Sequence, residues 1–80
     1  MRNYIATFHT HLAALMTSRT LTSRGLQARM MPVPRKLSSS CGTCVRYSAE
    51  EPNLDAMDED TEAVYEMLGN EEYDLVVIKE

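Results

Sequence analysis

Leu54–Leu68, L-D-A-M-D-E-D-T-E-A-V-Y-E-M-L, is the stretch on which the fold turns. Leu54, Met57, Thr61, Val64, Tyr65 and Leu68 recur at the spacing of one helical face. Asp58, Glu59, Asp60, Glu62 and Glu66 fill the other, which reads as a solvated face. That pattern predicts an amphipathic helix. Asn53 is placed to cap it, Asp55 to complement its N-terminal dipole, and Gly69-Asn70 to end it.

Working outward, Tyr73–Ile78 (Y-D-L-V-V-I) reads as a last, buried strand. Upstream, Thr43–Ser48 alternates Cys44, Arg46 and Ser48 against Val45 and Tyr47, the period of a strand. Leu26–Met31 is bounded by Gly25 and by Pro32-Val33-Pro34, which limits it to strand length and places it at a sheet edge or its end. Tyr4–Phe8 is short, β-branched and aromatic, and reads as a first strand. Between them, Thr10 is an N-cap and Gly25 a left-handed stop for a helix from about Thr10 to Arg24. Leu12, Ala13, Met16 and Thr20 mark its apolar side, with Leu15 flanking. The order is β-α-β-β-α-β. The expected fold class is α+β and ferredoxin-like, with two helices on one face of a four-stranded antiparallel sheet, in one domain over residues 1–80.

Composition narrows the function. A net charge of −4, with no Trp and one Phe, argues against nucleic-acid and anionic-membrane surfaces. No apolar run approaches the ~20 residues that span a bilayer. The N-terminus lacks the apolar core of a signal peptide, so the expected location is cytoplasmic. There, two cysteines three positions apart read as redox, metal or carrier chemistry and not as a disulfide framework. Phosphate-loop, Ser/His/Asp and metalloprotease patterns are all missing. A carrier needs only one reactive group and a docking face, which suits a chain of 80 residues better than a complete enzyme.

Pro32–Tyr47, P-V-P-R-K-L-S-S-S-C-G-T-C-V-R-Y, gathers both cysteines, two of the three prolines and three cations, Arg35, Lys36 and Arg46. A thiol among small polar groups and positive charge is the setting that favours a reactive thiolate. The element order brings this loop to the start of the first helix, beside His9, Thr10 and His11. The helix dipole would favour an anion there. Ser38, Ser40 and Gly42 flank Cys41, the expected nucleophile. Cys44 starts a strand and is the expected resolving thiol. Arg35 and Arg46 are expected to stabilise the thiolate, with Thr10 and His11 placed to hydrogen-bond it.

The run P-x-P-R-x-L-S-S-S-C-G-x-x-x-R-Y, with F-H-T-H-x-A near the N-terminus, resembles the small DUF3343 family of selenium/sulfur carrier protein-like domains. The residues that carry the match are Pro32, Pro34, Arg35, Ser38, Cys41 and Gly42, and more weakly Thr10, His11 and Ala13. The resemblance covers nearly the whole chain. It implies a carrier of activated sulfur or selenium on Cys41, with donor and acceptor proteins as partners and no cofactor. The carried group would be a persulfide or perselenide, taken from a donor such as a cysteine desulfurase. Two departures stand out: Met16, Thr17 and Ser18 occupy the region where many members have an acidic residue, and Cys44 is not a general feature. The alternative is a structural or regulatory zinc-binding module using Cys41, Cys44, His9 and His11, although H-x-H is not the usual histidine spacing. Oligomeric state is open.

Overall fold

The computed structural model of the protein describes residues 1–69 and 71–79. Among them run strands β1 (Arg2–Phe8), β2 (Gln27–Pro32), β3 (Thr43–Ala49), β4 (Thr61–Gly69) and β5 (Glu72–Ile78), and helix α1 (His11–Ser23). All pairings are antiparallel, and the strands form one sheet in the order β2-β3-β1-β4-β5.

This corrects the four-stranded, two-helix expectation. Residues 54–68 do not form a second helix. They hold a single 3₁₀ turn, Leu54–Ala56, followed by most of β4. Asn53 precedes the turn in a left-handed conformation (φ 54°) and makes no side-chain cap. Strand β3 ends beside the start of β1, and β4 begins beside the end of β1. Residues 50–60 must therefore cross from one end of the sheet to the other. They do so against α1: the Asp58 N–H donates to Thr17 Oγ1 at 3.1 Å, and Arg24 forms a two-pronged ion pair with Asp55.

The last strand is also corrected. Far from being buried, β5 is an edge strand, with Leu75, Val76 and Ile78 exposed. Gly69 closes β4 with φ +88°, and the Asn70 of the expected helix end lies outside the described residues.

Helix α1 forms where the sequence places it. Thr10 Oγ1 accepts from the Ala13 N–H at 3.1 Å, and Arg24 and Gly25 N–H groups satisfy carbonyls of the last turn. Its buried face differs from the expected one: Ala13, Ala14, Thr17 and Leu21 are buried, whereas Leu12 and Met16 are exposed. Small side chains at Ala13, Ala14 and Thr17 let the helix lie close on the sheet.

The core between α1 and the sheet takes alternate strand residues: Tyr4, Ala6 and Phe8 from β1, Val45, Tyr47 and Ala49 from β3, and Val64 from β4. Tyr4 and Tyr47 stack, with centroids 5.2 Å apart. The opposite sheet face also has buried residues, Ile5, Thr7, Cys44 and Ala63. On that side Lys36 and Leu37 of the β2–β3 loop surround a shallow depression together with Tyr65, Tyr73 and Leu75. Among the described residues, no helix is long and apolar enough to cross a membrane.

Candidate functional site

The β2–β3 loop, residues 33–42, lies at the end of the sheet where α1 begins. Its stem is closed by the Val33 N–H donating to Gly42 O at 3.1 Å. Within it, the Leu37 N–H donates to Pro34 O at 3.0 Å, making a tight turn with Arg35 and Lys36 at its exposed corner. Gly42 has φ +74°, a conformation that a residue with a Cβ adopts only at a cost.

Three consecutive serines do different things. The Ser39 hydroxyl donates to Phe8 O at 2.7 Å, tying the loop to the end of β1, and lies 3.8 Å from Cys41 Sγ. Ser40 is held by Glu62: its N–H donates to Oε1 at 2.9 Å and its hydroxyl to Oε2 at 3.0 Å. Ser38 is exposed, and its side chain has no partner among the described residues.

Glu62 reaches the loop because of a bulge. Phe8 pairs with Thr61 and Thr7 with Ala63, so Glu62 is the extra residue on β4. A bulge frees a side chain from the alternation of its strand and re-aims it. Burial pushes the Glu62 carboxyl up. The two hydrogen bonds from Ser40, with Ser39 and His9 nearby, outweigh burial and leave the carboxyl below its ordinary value. His9 Nδ1 sits 3.7 Å from Glu62 Oε2 and 3.5 Å from the Ser40 hydroxyl.

Cys41 is half-buried and packs against the core between α1 and the sheet. Its thiol donates to Thr43 O at 3.6 Å. Cys44 is fully buried, and its thiol donates to Pro32 O at 3.7 Å across the β2–β3 pair. Burial, with the neighbouring Cys41 adding to it, pushes the Cys44 thiol up to about 11. Both cysteines are free thiols. The two therefore differ: Cys41 is partly exposed, whereas Cys44 is enclosed and burial favours its neutral form.

The residues expected around the thiol are only partly gathered there. Thr10 Oγ1 is committed to capping α1. His11 Nδ1 lies 3.3 Å from Thr43 Oγ1, where the loop enters β3. Arg35 is exposed on the loop turn. Arg46 projects from the opposite sheet face, paired with Arg29 of β2 and Ile5 of β1, and has no hydrogen bond to the loop among the described residues. The four residues of the zinc alternative are not brought together as one group. Among the described residues no three His, Cys, Asp or Glu side chains converge as a metal-holding group. His9 faces Ser40 and Glu62, His11 faces Thr43, and Cys44 turns toward Pro32.

Sequence reasoning passed over Ser39, Thr43 and Glu62. Ser39 carried no mark to separate it from its two neighbours. In the sequence, Glu62 belongs to the acidic face of an expected helix that does not form.

Comparison with curated proteins and with solved structures gave no match. Residues 3–75 match the family described as "Putative Se/S carrier protein-like". With all but the ends of the sequence matched, the chain belongs to the Se/S carrier protein-like family.

Proposed function

We propose that the protein carries sulfur or selenium as a persulfide or perselenide on Cys41, between a donor protein and an acceptor protein. The observation that carries this reading is the contrast between the two thiols. Cys41 is partly exposed in a loop pinned by Ser39 and Ser40, while Cys44 is buried and its thiol is pushed up. We place the reaction in the cytoplasm, where thiols remain reduced.

The Cys41 thiolate attacks the outer sulfur of a donor persulfide such as that of a cysteine desulfurase. The donor S–S bond breaks, a new S–S bond forms on Cys41, and the donor cysteine leaves as thiolate. In delivery, a nucleophile on the acceptor attacks the terminal sulfur or selenium, and Cys41 leaves as thiolate. Each step exchanges one bond for another with no external oxidant. The neighbouring Ser39 hydroxyl supplies a polar contact to the sulfur. Cys44, the resolving thiol expected from the sequence, stays out of this cycle because burial keeps its thiol neutral near neutral pH.

Single-turnover delivery tests the reading. Protein loaded on Cys41 is mixed with a low-molecular-weight thiol acceptor or a candidate acceptor enzyme. Transfer of the terminal atom with return of the free Cys41 thiol supports it. Loading that no acceptor can discharge refutes the carrier role.

A further inference from the structure

Strand register places Arg29 of β2 directly opposite Arg46 of β3. Val45 and Tyr47 face the α1 core, so both arginines project from the other side of the sheet. Like charges directly opposite on one face repel. Among the described residues neither guanidinium has an acidic partner; the ion pairs are Arg2–Glu66, His9–Glu62 and Arg24–Asp55. Arg29 and Arg46 line a cleft of about 580 Å³ with Gln27 and Ser48, which wraps the free edge of β2 as far as Leu26 and Ala28. Among the described residues no acidic one lines it, in a chain whose net charge is −4. The cleft lies toward the end of β2 and β3 away from the Cys41 loop, since Gln27 pairs with Ser48 there and Pro32 with Thr43 at the loop end.

The geometry points to an anion site for a small phosphate monoester, its phosphate bridging Arg29 and Arg46. A dianion neutralises both guanidiniums, whereas one carboxylate neutralises only one. The planar guanidinium fork suits phosphate oxygens, and two forks side by side offer more matched donors than a carboxylate uses. The Ser48 hydroxyl donates to Asn3 Oδ1 at 2.7 Å, so the phosphate donors are the two guanidiniums and the Gln27 amide. The volume is shared between the two sides of the β2 edge, Gln27, Arg29, Arg46 and Ser48 on one and Thr22, Leu26, Ala28 and Tyr47 on the other, so the organic group of the monoester would reach around that edge to Leu26 and Ala28. This site is independent of the chemistry at Cys41.

The test is an NMR amide titration of the whole chain with inorganic phosphate, against chloride at matched ionic strength. Phosphate should give saturable shifts at Gln27, Arg29 and Arg46 that chloride does not give. Arg29→Gln, on the exposed edge strand, should weaken binding about ten-fold through loss of a charge-assisted contact. In phosphate-free, low-salt buffer it should also melt higher than the wild type, because a repulsion is removed. Phenyl phosphate should bind more tightly than inorganic phosphate. Equal shifts with chloride, or an Arg29→Gln titration matching the wild type, would overturn the site. Phenyl phosphate binding no tighter than phosphate would overturn the monoester assignment.

Discussion

Glu62 holds Ser40 through both carboxylate oxygens, Oε1 on the backbone N–H at 2.9 Å and Oε2 on the hydroxyl at 3.0 Å. Ser40 directly precedes Cys41, so the bulge on β4 ties down the loop next to the thiol. Removing the charge should loosen that hold while leaving the sheet intact. Glu62→Gln should cost about 1 kcal/mol of stability, the weakening of one charge-assisted hydrogen bond at a partly exposed site. Denaturant midpoints measure the cost. Cys41 should also alkylate faster, because the loop opens more often. An unchanged alkylation rate would mean that Ser39 and the loop stem hold Cys41 unaided.

The same contact predicts an acid limit. Burial raises the Glu62 carboxyl, but the two hydrogen bonds from Ser40, with Ser39 and His9 nearby, leave it net depressed. Its contribution is therefore present above the ordinary carboxylate value of 4.5 and lost as pH falls through the lower folded value. The Ser40 amide signal, followed by NMR from about pH 6 to about pH 2, should shift with that titration. In Glu62→Gln the transition should vanish.

The thiols should separate by reactivity. At neutral pH one equivalent of iodoacetamide should react with the native protein, on Cys41. Cys44 should react only after unfolding, because burial raises its thiol to about 11. Stability linked to the neutral Cys44 thiol is complete below its ordinary value of 9.0 and declines as pH rises through about 11. Peptide mapping of the alkylated protein, native against denatured, reads the difference.

Much of the first half of the fold is legible in the sequence, for local reasons. Thr10 caps α1 and Gly25 stops it, so that helix is written in its two ends. Val45 and Tyr47 against Cys44, Arg46 and Ser48 show a strand with two different faces. The second half misleads because β4 carries register shifts against both neighbours. Each extra residue breaks the two-residue period, and Thr61, Val64, Tyr65 and Leu68 then fall at helical spacing. The local chemistry pointed the other way, since Thr61, Val64 and Tyr65 favour strands. The buried face of α1 differs from the expected one because Leu12 and Met16 are larger and more apolar than Ala13, Ala14 and Thr17, the small residues that pack on the sheet. The Ser/Gly loop singles out Cys41 in the sequence as the candidate thiol; nothing singles out Glu62, because its contact with Ser40 exists only through the bulge.

The β4–β5 hairpin offers a check of the corrected fold. Glu71 has φ 60°, a left-handed conformation unfavourable for a residue with a Cβ. Glu71→Gly should stabilise the protein by about 0.5–1 kcal/mol despite the usual entropic cost of glycine. Thermal or denaturant unfolding would show this. If the substitution destabilises the protein by a comparable amount, the turn geometry assigned to this hairpin is wrong.

The most direct measurement for the carrier account is intact-protein mass spectrometry after incubation with a cysteine desulfurase and cysteine, or with a selenium donor. The wild type and Cys44→Ser should each gain the mass of one sulfur or selenium atom, removable by reductant and mapping to Cys41. Cys41→Ser should gain none. If Cys41→Ser loads as fully as the wild type, or if the wild type loads from no donor, the account is contradicted.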